Sequence, residues 1–338
     1  MTEAARTEST MPHHRAPTAA TMTAATIVRP QRMSLQRVPL PRPGPGQVRV
    51  RLEGCGVCAS NIPPWEGRPW FDYPLAPGKL GHESWGRIDV LGEDVAGLNE
   101  GDRVALLSDH AYAEYDVADV ETVVPLPEAL HDQPAPAEPL GCAANIIDRC
   151  QIEPGQTVAI VGIGFLGALL TRLARLQGAR VIALTRRQHG LAIARQMGAD
   201  DTVAMEDHAR VLEQMGRITG GEMCDVVIEA AGAQWPLDLA GELTRVRGRL
   251  IVAGYHQDGT RQINMQQWNW RGLDVINAHE REPAIYRRGM ERAIDLVARG
   301  ELDPTPLYTH TFRLGQLDEA LQMTRERPEG FVKALITM

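Results

Sequence analysis

Between Thr26 and Leu52 short apolar runs alternate with Pro and Gly, most densely at Pro39-Leu-Pro-Arg-Pro-Gly-Pro-Gly46 ahead of Gln47-Val-Arg-Val-Arg-Leu52. This pattern predicts strands joined by rigid turns. It continues through Gly86-Arg-Ile-Asp-Val-Leu91, Gly101-Asp-Arg-Val-Ala-Leu106 and Ala113-Glu-Tyr115 to about Pro127, so the N-terminal part is predicted to be all-β and barrel-like. From Glu138 to Ile152 the spacing turns helical. Beyond it, predicted strands at Thr157–Val161, Arg180–Leu184, Asp201–Val203, Cys224–Ala230 and Arg249–Ala253 alternate with helices at Phe165–Gln177, Gln188–Met197, Asp207–Thr219 and Trp235–Val246. That alternation predicts a doubly wound parallel sheet, hence an α/β protein. A helix over Ala284–Arg299 and a last strand over Phe331–Ile336 fall outside the nucleotide-binding pattern and are expected to return to the first domain.

The expected division is therefore a leader over 1–22, a first domain made of 23–147 and 278–338, and a second domain over 148–277. The leader is rich in Ala, Thr and Pro, lacks an apolar segment and is expected to be disordered and no secretory signal, while Glu3 and Glu8 count against a transit peptide. A length of 338 residues accommodates two domains with separate cores. No apolar stretch reaches bilayer length, so no membrane partner is expected. A net charge of -8 without a dense basic run gives no reason to expect nucleic acid. Five scattered cysteines, at 55, 58, 142, 150 and 224, do not form a disulfide framework, which fits a reducing cytoplasm.

The strand Thr157–Val161 runs into Gly162-Ile-Gly164-Phe165-Leu166-Gly167, a G-x-G-x-x-G turn followed by a helix. In that context each glycine has a reason. Gly162 allows the tight turn, Gly164 lets backbone approach a pyrophosphate, and Gly167 lets helix pack on strand, with the helix N-terminus facing the anion. A dinucleotide site is expected. In sites that take NAD an acid close to 20 residues further on holds the ribose hydroxyls, but here the next strand ends Thr185-Arg186-Arg187. Two guanidiniums and a hydroxyl suit a 2′-phosphate, so NADP(H) is expected in preference to NAD(H).

Three stretches of the N-terminal half carry metal-ligating chemistry: Cys55-Gly-Val-Cys58-Ala-Ser60-Asn61, Gly81-His82-Glu83 and Glu138-Pro-Leu-Gly-Cys142. Thiolate, imidazole and carboxylate together are the ligands of a catalytic zinc with one open position. A four-ligand structural zinc would need a second C-x-x-C, and a thioredoxin-like pair would need a surrounding βαβ unit. Neither accompanies these residues.

With Gly92-Glu-Asp-Val95 leading to Gly101-Asp-Arg-Val104, these motifs in this order resemble the medium-chain, zinc-dependent alcohol dehydrogenase superfamily, from about Ala24 to the C-terminus. The pattern is most similar to its polyol and sugar (sorbitol-like) branch. The resemblance implies a GroES-like β-barrel catalytic domain beside a Rossmann domain. It implies that Cys58, rather than Cys55, and His82 bind zinc, and it nominates Glu138 as third ligand, with Cys142 a weaker substitute. Glu83 is implied as a carboxylate behind the ligands or a transient ligand, and Ser60 as the hydroxyl that relays the substrate's proton. The Cys-rich lobe for a second zinc is missing, so one zinc per subunit is expected. Asn61 stands where the family's aspartate orients the histidine, and Ala59 where many members place a cation against phosphate.

The implied reaction interconverts a secondary alcohol and a carbonyl compound, zinc acting as Lewis acid and the nicotinamide exchanging the hydride. Trp65, Arg68, Trp70, Phe71 and Tyr73 are expected in a substrate loop, and Tyr255-His256-Gln257 and Trp268-Asn-Trp270-Arg271 near the nicotinamide, which suits a sugar, polyol or cyclitol. For Trp268 and Trp270 a core or subunit contact is an equal alternative. The competing classes are a zinc-free quinone or enoyl reductase and a non-catalytic nucleotide-binding protein. A homodimer or homotetramer is expected.

Overall fold

The computed structural model describes residues 20–257 and 259–338, so the leader as far as residue 19 lies outside the described residues. Its expected end is corrected: strand β1 (Thr21–Arg29) already contains Thr21 and Met22, and Met22 packs with Ala24 and Ala113. β1 pairs antiparallel with β2 (Arg32–Pro39). β3 (Gln47–Gly56), β4 (Glu83–Leu91), β5 (Arg103–Leu106), β6 (Tyr115–Asp119) and β7 (Val123–Pro125) follow, with a short helix α1 (Ile62–Glu66) between β3 and β4. The alternation of β3 sends Val48, Val50 and Leu52 into a core with Ile88 and Val104. Val48, Val50, Ile88 and Val104 are essentially inaccessible to solvent.

Helix α2 (Ala137–Cys150) leads into the second unit and runs across the boundary expected at 147/148. β8 (Thr157–Val161), α3 (Phe165–Leu176), β9 (Arg180–Thr185), α4 (Gln188–Gln196), β10 (Asp201–Ala204), α5 (His208–Ile218), β11 (Cys224–Glu229), α6 (Gln234–Leu243), β12 (Thr244–Val252), α7 (Met265–Arg271) and β13 (Asp274–Asn277) then alternate. The six strands form one parallel sheet in the order β10-β9-β8-β11-β12-β13. Successive residues of its strands feed two cores: Val158, Ile160, Val181 and Ala183 face α2, α3 and α4, whereas Ala159, Val161, Ile182 and Leu184 face α5 and α6. Burial on both faces explains why these strands read as continuous apolar runs. The order reverses between β8 and β11, where such sheets leave a crevice at their carboxyl ends.

The last segment packs back onto the first unit. Helix α8 (Pro283–Ala298) packs along α2, and its Met290 and Ile294 share a core with Trp85 and Leu335. β14 (His310–Arg313), helix α9 (Leu317–Glu326) and β15 (Ala334–Thr337) complete the first unit. β15 inserts between β14 and β3, giving the path β14-β15-β3-β4-β5-β7 with β6 also on β3. Among the described residues no ladder joins the two ends of that path, so the element expected as a barrel is described as a sheet. The last strand begins at Ala334 rather than Phe331, because the chain up to Lys333 is occupied by contacts outside the ladder.

Candidate active site

β3 and β4 run antiparallel with Gly56 opposite Glu83 and Cys55 opposite Ser84, so the end of one strand meets the start of the other. Past Gly56 the chain leaves the sheet, and Cys58 caps a helical turn at Ala59–Asn61, its Sγ accepting the Ser60 N–H at 3.5 Å. Cys58, His82 and Glu83 each present a donor atom within 4.8 Å of the others. His82 Nδ1 lies 2.9 Å from the Leu80 carbonyl, which can only accept, so Nδ1 carries a proton in either charge state of the ring, and a metal would take the place of the proton on Nε2. Asn61, which stands in place of the family's aspartate, donates through Nδ2 to the same Leu80 carbonyl at 3.1 Å, and its Oδ1 accepts the Tyr112 hydroxyl at 2.8 Å. Asn61 therefore steadies the carbonyl that orients the histidine and leaves the histidine itself to Leu80.

The donor set favours a cation. Burial works against a charged His82, but the hydrogen bond and charge of Cys58, with Glu138 and Glu83, raise its pKa to about 10. The two cysteines of the C-x-x-C separate here. Cys55 is buried in β3, where desolvation and then the charge of Glu83 push its thiol well up, whereas Cys58 lines a cavity of about 600 Å³. Sequence spacing alone could not distinguish them.

Glu138, in the first turn of α2, and Ser60 lie on the wall of the same cavity. Glu138 is not one of the three grouped donors. Its Oε1 accepts the Cys142 S–H at 3.2 Å, and Cys142 Sγ is 3.5 Å from the Tyr286 hydroxyl. Burial raises the pKa of Glu138, with Glu83 adding to the rise and His82 opposing it. Glu83 is held elsewhere: Lys333 Nζ sits 2.6 Å from Oε1 and 2.5 Å from Oε2, and both residues are buried. Burial would lower the pKa of Lys333, yet Glu83 outweighs it and the pKa is raised. Sequence reasoning missed this lysine. Its signal was one charge inside the apolar run Phe331-Val-Lys-Ala-Leu-Ile336.

The glycine turn forms the facing wall. Gly162 has φ 105, and a Cβ at Gly167 would stand 2.0 Å from the Gly162 carbonyl, so α3 rests directly on the turn. Gly164 caps α3 and has open space where a Cβ would be; with Phe165 and Leu166 it lines the cavity, while Gly162 and Gly167 shape the turn behind it. Of the residues expected to choose the cofactor, Thr185 is buried, Arg186 is exposed and Arg187 lines the cavity. A second missed residue supports the opposite side. Glu229, buried at the end of β11, accepts the Ala231 and Gly232 N–H groups at 2.8 Å and lies 3.0 Å from His256 Nε2. Arg261 Nε donates to His256 Nδ1 at 3.0 Å, so Nε2–H donates to Glu229. This fixes the turn that carries Ala230 and Ala231, both in the cavity wall.

The expected substrate loop is largely corrected. Trp65 is 3% exposed, and its Nε1–H donates to Asp318 at 2.9 Å, so it belongs to the core. Trp65, Arg68, Trp70, Phe71 and Tyr73 are not among the residues lining the cavity; the aromatic rings there are Phe165, Tyr255, Tyr286 and Phe331. Tyr255 and Gln257 line it as expected, whereas His256 turns away to Glu229. Trp268 is buried beneath α6 against Gly241, and Trp270 is 91% exposed.

A thiol, an imidazole and carboxylates on one wall of a cavity, facing a dinucleotide turn on the other, define a two-domain oxidoreductase. Residues 44–128 match the alcohol dehydrogenase GroES-like domain and residues 166–299 the zinc-binding dehydrogenase family. An alcohol dehydrogenase of Rhizobium meliloti is 30% identical over 269 residues, covering 69% of this chain and 77% of its own. A sorbitol dehydrogenase of Halalkalibacterium halodurans is 28% identical over 337 residues, 90% of this chain and 95% of its own. The structure of a zinc-binding dehydrogenase from Sinorhizobium meliloti bound to NADP superimposes with a TM-score of 0.81 at 28% identity, over 94% of this chain and 100% of that one. The chain belongs to the zinc-dependent medium-chain dehydrogenase/reductase superfamily.

Proposed function

We propose that this protein is a zinc-dependent dehydrogenase that interconverts a secondary alcohol of the polyol, sugar or cyclitol kind and its carbonyl counterpart, with NADP(H) preferred over NAD(H). The observation that carries the reading is the placement of Cys58, His82 and Glu83 on the wall of the cavity that Gly164, Phe165 and Leu166 also line. When bound, zinc supplies Lewis acidity toward the substrate oxygen and the nicotinamide supplies the site of hydride exchange. The chain does the rest. Cys58 and His82 hold one zinc together with a glutamate, Glu138 or Glu83. Ser60 offers the hydroxyl that takes the substrate's proton from inside the cavity, and the Gly162–Gly167 turn with the first turn of α3 seats the pyrophosphate. Thr185, Arg186 and Arg187, with no acid among them, favour the extra phosphate. Tyr255, Gln257 and Tyr286 add polar groups to apolar walls, as a hydroxylated substrate requires. In this reading the catalytic domain comprises the chain from Thr21 to about 147 with 278–338, and 148–277 forms the cofactor domain.

The reading is tested by an NADP- and NAD-linked screen over sugars, polyols, cyclitols and simple alcohols, with zinc measured on the same sample. Turnover with one zinc per chain is expected. Cys58→Ala should lose turnover and retain cofactor binding; undiminished turnover in that variant, or turnover by zinc-free protein, overturns it.

A further inference from the structure

Helix α9 ends at Arg327, whose backbone is left-handed (φ 48, ψ 60) and whose N–H donates to the Met323 carbonyl at 2.9 Å. Glycine is the usual residue in that conformation, because a Cβ strains it. Here a long cationic side chain leaves the helix end instead. The residues that follow touch the second unit: Glu329 accepts the His189 N–H at 3.0 Å, near the start of α4, and the Phe331 carbonyl accepts Arg187 Nη1 at 2.7 Å. Arg327 therefore stands close to where the two units meet. It keeps access to solvent while lining the cavity that Arg187 also lines.

The protein leaves most of this guanidinium unused. Nε donates to the Thr324 carbonyl at 3.3 Å, and among the described residues no carboxylate pairs with Arg327. The acids of the cavity wall are engaged elsewhere: Glu83 with Lys333, Glu138 with Cys142, and Glu280 with the N–H groups of Arg281 and Glu282. By contrast Arg325, two residues earlier, pairs with Glu66. Helix α9 also packs on the turn Ala59–Asn61, which gives the cavity wall only the uncharged Ala59 and Ser60. Burial lowers the pKa of Arg327 while the charge of Cys58 opposes, and Arg327 in turn helps to lower that of Arg187, so its charge is felt at both places. A partly desolvated cation beside a second one, with no carboxylate of its own, is stabilised by an anion from outside the chain.

We propose that Arg327 donates to the pyrophosphate of the nicotinamide cofactor, so that the catalytic unit grips from one side the group that the Gly162–Gly167 turn seats from the other. This rests on the cofactor reading proposed above, in which the dinucleotide runs along the wall from Arg187 past Gly164 to Cys58, with the pyrophosphate at its middle. The phosphate assigned to Arg187 exists only in NADP, whereas the pyrophosphate is common to NADP and NAD. The two arginines therefore have separable effects. A cation at a helix C-terminus also complements the helix dipole, but that role alone would change stability and leave cofactor affinity as it is.

The test uses the purified full chain and follows the binding of NADH and NADPH by their fluorescence, without turnover. Arg327→Gln should weaken both by about ten- to a hundredfold and to the same extent, as loss of a charge-assisted hydrogen bond does. Arg327→Lys, which keeps the charge, should recover part of that loss. Arg327→Gly suits the left-handed backbone and replaces Arg327→Gln in the comparison if the latter does not fold. Undiminished affinity for both cofactors in a folded variant overturns the proposal and leaves only the helix-end role. A loss confined to NADPH overturns it too, by moving the guanidinium to the 2′-phosphate. A wild-type chain that binds neither cofactor removes the cofactor reading and this inference together; a wild type that binds them, with unresponsive variants, removes the inference alone.

Discussion

Arg187 commits part of its guanidinium to structure, donating through Nη1 to the Phe331 carbonyl at 2.7 Å, and keeps the rest at the cavity wall. Burial and the nearby Arg327 lower its pKa, with Glu329 opposing, yet a guanidinium remains charged near neutrality. An anion seated there relieves the repulsion between the two arginines. One charge-assisted hydrogen bond contributes about 1.5–3 kcal/mol, so Arg187→Gln should raise the KM for NADP about ten- to a hundredfold and leave that for NAD nearly unchanged. Arg186→Gln makes the same comparison without disturbing Phe331. Steady-state kinetics with both cofactors check it, and equal effects on NADP and NAD would dismiss the 2′-phosphate reading. At this scale the sequence was legible where chemistry is tied to a motif, as at Cys58, His82 and the three glycines. It was not legible where a role depends on what lies across a ladder. Nothing near Glu83 in the chain announces Lys333, 250 residues away, and nothing around Trp65 announces that Asp318 draws it into the core.

Helix α2 brings Glu138 to the cavity, and its position is set by close contact with α8. A Cβ at Gly141 would lie 2.7 Å from both the backbone nitrogen and Cγ of Met290, and one at Gly289 would lie 2.5 Å from the Asn145 side chain. Alanine is the better helix former by up to about 1 kcal/mol. Overpacking typically costs about 1–3 kcal/mol, and at Gly141 the obstacle includes backbone that cannot swing aside. The second effect wins. Gly141→Ala should lower the urea midpoint and, by moving the helix between Glu138 and Cys142, also reduce turnover; a midpoint at or above wild type would show that the helices part without cost. Among elements, the alternating strands and helices from β8 to β12 were predicted from apolar runs and glycine stops, with ends displaced by one to a few residues. The apolar spacing of α6 continues through Val246, so periodicity extends the helix over residues that the structure gives to the start of β12. β13 carries no such signal, because four residues, Asp274-Val-Ile-Asn277, are too few to establish a period.

That short strand bears on the whole molecule through the edge it leaves open. β13 is the last strand of the parallel sheet and pairs only with β12 among the described residues, so its outer edge presents unpaired backbone groups. Val275 is 38% exposed, and the preceding segment adds Ile263 at 42%, Met265 at 58% and Trp270 at 91%. Asp274 places one charge on this edge, but Val275 and the neighbouring apolar side chains leave it able to invite another strand. A second copy of this chain would supply a matching one: two β13 strands related by a two-fold axis would run antiparallel and make the two sheets continuous across the axis. The cavity lies at the carboxyl ends of the strands, and its wall extends from the β8 and β11 turns to Ala278, directly after β13. No helix among the described residues is long and apolar enough to cross a membrane, so a bilayer-spanning helix does not account for the exposed patch. Wild-type protein should therefore have the mass of a dimer, or of a tetramer built from such dimers, by light scattering after size exclusion. Val275→Lys places two ammonium groups against each other at the axis and should yield monomers that still bind NADP, because the glycine turn is untouched. An unchanged mass in Val275→Lys would move the subunit contact away from β13, and a monomeric wild type would abolish it.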